Sequence, residues 1–226
     1  MIRSVLFDTE TTGLDPMAGD RVIEVAALEL VNDLPTGRHF HALIHPERPI
    51  SDEVTRIHGL TLEALEGKPI FAEIAGELLE FLGDGKLVAH NAPFDFGFLN
   101  AEFSRLGHPP LDGERMVDTL MLAKARYPGL PNSLDALCRR FGIDLSERTT
   151  HNALLDCRLL AEVYVELTGG RQRGLSLTAA GQAEVMAPDY AALGGRTPHR
   201  VVPSEAELAA HAAFLAKIKQ PIWTTA

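Results

Sequence analysis

The chain has 226 residues, 46% of them apolar and 23% charged, with a formal net charge of −10. That composition suits a folded globular protein with one sizeable core, and no run of about 18 apolar residues is present to span a membrane as a helix. An acidic surface gains little unspecific attraction to a polyanion, which argues against a free-standing, tight nucleic-acid binder. A nuclease whose metals neutralise its carboxylates stays open, as does one whose substrate a partner delivers.

Residues 2–8 read as a buried strand that runs straight into Asp8. No apolar leader with a cleavage site precedes it, so the expected location is cytoplasmic. Turn residues follow at Gly13, Pro16, Gly19 and Asp20. Residues 21–31 alternate and are rich in Val and Ile, which predicts a second strand, with 38–45 as its hairpin partner. Phe71, Ile74, Ala75, Leu78, Leu79 and Leu82 carry helical spacing over 71–82. A short strand is expected over 86–90 and a helix over 93–106, opened by Pro93. A last strand at 115–118 precedes helices at 119–126, 133–141 (Ser133 as N-cap) and 152–168. Gly169 and Gly170 end the last of these. Cys138 and Cys157 form no CxxC pair and are expected to be buried thiols.

The chemistry gathers at strand ends. Asp8 and Glu10 stand at i and i+2, which puts both carboxylates on one face of a strand. They are hard oxygen ligands suited to Mg²⁺ or Mn²⁺. Alone, such a pair is more often two exposed turn acids. Two further segments change that reading: His90 is followed by Asp95 in the first turn of a helix, and His151 by Asp156. Asp156 lies among Leu154, Leu155, Leu159 and Leu160, where an unpaired charge is costly. Acids at strand ends and helix starts converge on one crevice in an α/β fold.

Residues 7–14, 90–95 and 151–156 resemble the three exonuclease motifs of the DEDD superfamily, in its histidine-containing branch. Residues 118–120, 127–129, 132–138 and 159–170 are similar to the epsilon proofreading subunits of bacterial DNA polymerase III. The resemblance covers 2–170 nearly continuously and resumes at 207–211 and Trp223. It implies a ribonuclease-H-like α/β fold: a mixed five-stranded sheet flanked by helices, with a flexible C-terminal extension.

The same resemblance assigns roles. Asp8 bridges two divalent cations, Glu10 and Asp156 hold the one that activates water, and Asp95 supports the second. His151 is the general base. Thr11, Thr12 and Leu14 meet the terminal nucleotide, Leu14 as a wedge between bases, unless these residues serve only turn chemistry. His58 belongs to a loop over the same nucleotide. Phe98 is assigned to the core, while Phe94 is left between core and base stacking.

Three regions are expected: an exonuclease domain over 1–170, a linker over 171–203 rich in Gly, Pro, Arg and Ala, and a tail over 204–226. In the tail, Ser204 and Glu207 form a capping box, and Leu208, Ala212, Leu215 and Ile218 follow on one helical face before Pro221. Such a helix with Trp223 cannot bury its own apolar face. It docks on a partner, which the resemblance identifies as the polymerase catalytic subunit, or packs back on its own domain. Residues 172–177, opening on Gln172 and including Leu175 and Leu177, resemble a sliding-clamp-binding peptide or are plain linker. The expected function is removal of nucleotides from a DNA 3′ end as a polymerase proofreading subunit. The alternatives are a free-standing nuclease of the same family acting on RNA or small oligonucleotides, and an inert bridge between polymerase and clamp. All five catalytic residues are present, which disfavours the bridge.

Overall fold

The computed structural model describes residues 2–146, 148, 150–169 and 202–218. They belong to two units that divide between Leu175 and Ser176, and each is taken by itself.

The first unit is built on β1 (Arg3–Thr11), with β2 (Val22–Val31) antiparallel beside it and β3 (Leu34–Leu43) antiparallel to β2. On the other side lie β4 (Lys86–Ala89) and β5 (Met116–Asp118), both parallel, giving the order β3-β2-β1-β4-β5 in one five-stranded mixed sheet. Strand β1 is longer than its apolar run: Thr9, Glu10 and Thr11 continue the ladder against β2.

Period-2 geometry sorts β1 between two layers. Val5 and Phe7 enter the core under α2 (Phe71–Leu82) and α3 (Ala92–Arg105). Leu6 enters the opposite core, with α5 (Leu134–Phe141) and α6 (Ala153–Leu167). Asp8 and Glu10 share the parity of Leu6 and so face the α6 layer. Between β5 and α5 runs α4 (Thr119–Arg126). Phe7, Phe71, Phe98 and Phe103 are fully buried, and both cysteines are buried.

The stretch around His58 is not a plain loop. Helix α1 (Asp52–His58) is capped by Ser51, carries Asp52 and Glu53 in its first turn, and closes on Gly59 at φ 77°. A left-handed C-cap of this kind favours glycine.

In the second unit α7 (Glu205–Leu215) begins with the expected capping box between Ser204 and Glu207. Its end differs from expectation: the chain leaves the helix at Leu215, so Ile218 lies in the following turn and not on the helical stripe. Alanines at 206, 209, 210, 212 and 213 ring the helix, so its apolar surface is not confined to one face. Leu208 and Phe214 are exposed. The linker over 171–201, with the clamp-like residues 172–177, and the segment carrying Trp223 lie outside the described residues.

Candidate active site

The five residues expected to carry chemistry meet at one cleft. Asp8 and Glu10 come from the end of β1, Asp95 from the first turn of α3, and Asp156 from the first turn of α6. His151 stands just before Asn152, the N-cap of α6. All five line a cleft of about 620 Å³. Among the described residues, Glu10, His151 and Asp156 each offer a ligand atom within 4.8 Å of the others.

Each acid is held. Thr9 donates to Asp95 Oδ1 twice, from its backbone nitrogen at 3.0 Å and its hydroxyl at 2.7 Å. That ties α3 to β1 at the site. Asn91, the N-cap of α3, takes a left-handed φ of 68°, unusual for a residue other than glycine. Its backbone N–H donates to Asp118 Oδ1 at 3.0 Å, and neighbouring His90 Nδ1 lies 2.9 Å from the Thr119 hydroxyl. The strand-to-helix corner before Asp95 is thus fixed from β5 and α4.

The electrostatics ask for positive charge. Burial, followed by repulsion from Asp95, Glu10 and Asp156, holds Asp8 well above the usual carboxylate range. Burial likewise lifts Glu10 to about 8, although nearby His151 opposes it. Burial raises Asp95 to about 7 against the Thr9 hydrogen bonds. Carboxylates crowded in this way ionise together only when cations neutralise them. The donor set, mostly hard carboxylate oxygens, suits Mg²⁺ or Mn²⁺.

Nothing in the sequence pattern points to Arg148, which dominates one wall. Its Nε donates to Asp156 Oδ1 at 2.6 Å and its Nη2 to Asp156 Oδ2 at 2.7 Å, a two-pronged pair. Its Nη1 donates to Asp135 Oδ1 at 2.6 Å, and its Nη2 lies 3.1 Å from His151 Nδ1. Burial alone would raise Asp156, but Arg148 and His151 outweigh it and hold the carboxyl low. The Asp156 interaction raises His151 above the ordinary imidazole value.

Of the residues expected to meet the nucleotide, Asp8, Glu10 and Asp156 line this cleft, whereas Thr11, Thr12, Leu14 and His58 lie outside its lining. Leu14 projects with 76% of its surface exposed. Its turn is tied down: the Thr11 hydroxyl donates to the Gly13 carbonyl at 2.6 Å, and Asp20 accepts from Asp15 N at 3.1 Å. A methyl group on Gly13 would fall 2.1 Å from Asp20 Oδ2, so a side chain there would displace the Asp20 carboxylate that braces the turn. The Thr12 hydroxyl faces inward, accepting from Arg21 N at 3.0 Å. His58 is buried; its Nδ1 accepts from Leu60 N at 3.0 Å, and the ring also interacts with the Thr11 backbone carbonyl. Phe98 is core, and Phe94 both packs on that core and lines the cleft.

Comparison with known proteins fits this geometry. The profile of the exonuclease family RNase_T matches residues 5–164, and the chain belongs to that family. Its similarity to Exonuclease X in complex with 5′-overhanging duplex DNA has a TM-score of 0.59 at 26% identity, covering 74% of this chain and 91% of that one. The E. coli Exonuclease I–single-stranded DNA complex shares the fold, with a TM-score of 0.65 at 21% identity over 76% of this chain and 41% of that one. Curated relatives narrow the class. The chain is 50% identical to DNA polymerase III subunit epsilon of Rickettsia felis over 179 residues, 78% of each chain. It is 40% identical to that subunit of Salmonella typhimurium over 226 residues, 92% of this chain and 90% of the relative. Within the exonucleases it therefore belongs to the DNA polymerase III epsilon subunits, as a 3′→5′ proofreading exonuclease using divalent metal. Among the described residues no helix is long and apolar enough to cross a membrane.

Proposed function

We propose that the chain removes nucleoside monophosphates from a DNA 3′ end with two divalent cations, Mg²⁺ or Mn²⁺, and His151 as general base. The observation that carries this reading is the convergence of Asp8, Glu10, Asp95 and Asp156 with His151 on one cleft. Asp8 and Asp95, together with Glu10 and Asp156, would hold the cations. Bound there, the cations supply a water of lowered pKa and neutralise charge on the leaving 3′ oxygen.

The protein's own part is orientation and proton transfer. His151 takes the water's proton through Nε2, with Nδ1–H turned toward the Asp156 carboxylate 3.5 Å away. A hydrogen bond from Arg148 to Nδ1 is incompatible with that tautomer, so the working arrangement has Arg148 moved off the ring. Thr11 and Leu14, on their braced turn, and His58, beside the Thr11 backbone, meet the terminal nucleotide.

The chain acts as the proofreading subunit of a replicative polymerase, the association named in its relatives. Residues 1–170 form the nuclease and 171–203 the linker, in which 172–177 bind the sliding clamp. Residues 204–226 bind the polymerase catalytic subunit, where exposed Leu208 and Phe214 supply apolar contact. Calorimetric titration with Mn²⁺ tests the metal assignment. Wild type should bind two ions and His151→Ala the same two with similar affinity, while Asp8→Ala should lose at least one. A large loss of affinity in His151→Ala would make the imidazole a ligand and overturn its role as base.

A further inference from the structure

Glu24 lies directly opposite Glu10 in the β1–β2 register, so the two carboxylates point to the same face of the sheet. Like charges in that position repel, and Glu24 is only 1% exposed. It is kept by three donors. His41 Nε2 on β3 lies 2.7 Å from Oε1, Asn152 Nδ2 donates to Oε1 at 3.0 Å, and Ala153 N donates to Oε2 at 3.3 Å. Asn152 is the N-cap of α6, and its own Oδ1 accepts from Leu155 N at 3.0 Å. Glu24 thus grips the residues between His151 and Asp156, at a helix N-terminus that favours a negative charge.

We propose that Glu24 is a positioning residue for hydrolysis: it fixes the first turn of α6, and so sets His151 and Asp156 against Asp8 and Glu10. The proposal rests on the site reading given above. A cleft assembled from β1, α3 and the start of α6 holds its geometry only if a lock joins α6 to the sheet, and misplacement by about 1 Å can cost on the order of a hundredfold in rate. Glu24 is that lock. It belongs to the same sheet as Glu10 and bonds directly to the start of α6.

The test uses the full chain with single-stranded DNA and Mg²⁺. Glu24→Gln keeps size and shape, but in either orientation its NH₂ faces a donor, Ala153 N or Asn152 Nδ2. Asn152→Ser keeps a capping oxygen for Leu155 but is too short to reach Glu24. Each should lower kcat by about 10–100-fold, the usual cost of losing an outer orienting contact. KM for DNA should stay within about twofold, because the turn over 11–20 and α1 form no bond to Glu24. The double variant should lose no more than the worse single variant, since both changes cut one connection. Folded single variants with near-normal kcat would overturn the proposal, and so would losses that multiply in the double. If Glu24→Gln melts below the assay temperature, Asn152→Ser alone decides. His151→Ala runs beside them: normal turnover there would sink the site reading itself, a failure distinct from that of Glu24.

Discussion

Arg148→Gln is the most informative single change at the wall of the cleft. The guanidinium and Asp156 form a buried pair, with side chains 10% and 4% exposed, held by two short hydrogen bonds. Removing one partner of such a pair leaves the other charge uncompensated and costs about 3–5 kcal/mol. For a domain of this size about 1 kcal/mol moves Tm by roughly 2–4 °C, so the metal-free variant should melt roughly 6–20 °C lower. Metal affinity should move the other way. A cation that takes the inner oxygens of Asp156 has to break the guanidinium pair, and in the variant it does not. Mn²⁺ should bind at least about tenfold more tightly, the equivalent of about 1.4 kcal/mol. Thermal melts in EDTA and in saturating Mn²⁺, with calorimetric titration of both proteins, measure the two effects. An unchanged melt in EDTA combined with weaker Mn²⁺ binding would refute the reasoning, and would place Arg148 on the metal-loaded site as a supporting group.

The pH dependence of the metal-free protein follows from the raised carboxyls. Glu10 at about 8 and Asp95 at about 7 keep protons that the unfolded chain has already released, so stability should fall as pH rises from 6.5 to 8. The slope is up to about 1.4 kcal/mol per pH unit for each group still protonated. Saturating Mn²⁺ should flatten the trend, and a melting temperature that climbs over that range in EDTA would contradict it. Asp8→Asn and Asp156→Ala should both abolish nucleotide release yet differ in stability. The first relieves repulsion and should raise the metal-free Tm, whereas the second strands Arg148 and should lower it. Equal shifts would deny the Arg148–Asp156 pair its weight. Leu215→Ala with Trp223→Ala should weaken binding to the cognate polymerase subunit at least about tenfold, as expected when buried anchors are truncated. Nuclease turnover on free single strands should not change, and an early melt with lost activity would mean that the tail packs on its own domain.

Much of the architecture was legible because its signals are local. The Val- and Ile-rich run of β2, the helical spacing of α2 and the Ser133 cap each depend on residues close in sequence. Asp8 and Glu10 could be placed on one face by strand parity alone. The apolar run alone bounds the first strand at residue 8, because Thr9, Glu10 and Thr11 are polar, yet β1 continues through them; their pairing with β2 supplies what the residue types do not. The seven-residue helix α1 left a trace in Ser51, Asp52 and Glu53, but it is too short for an apolar period. Arg148, Asp135 and Glu24 are a different case. Each draws its meaning from a partner: Arg148 reaches Asp156 eight residues away and Asp135 thirteen away, and Glu24 meets Asn152 across 128 residues. No periodicity encodes such pairings. For Glu24 one clue was present, an acid on a largely apolar strand that it shares with Glu29, and its contacts to the start of α6 turn that clue into a role.

Single-nucleotide resolution of the digestion products tests the central account most directly. A single-stranded oligonucleotide labelled at its 5′ end, incubated with the full chain and Mg²⁺, should yield a ladder shortened one nucleotide at a time from the 3′ end. Asp8→Ala should give no ladder, and His151→Ala should give the same ladder more slowly by about 10²–10⁴-fold, the usual share of general-base catalysis. A labelled mononucleotide as the first product, or a His151→Ala variant that keeps pace with wild type, would contradict the assignment of this cleft.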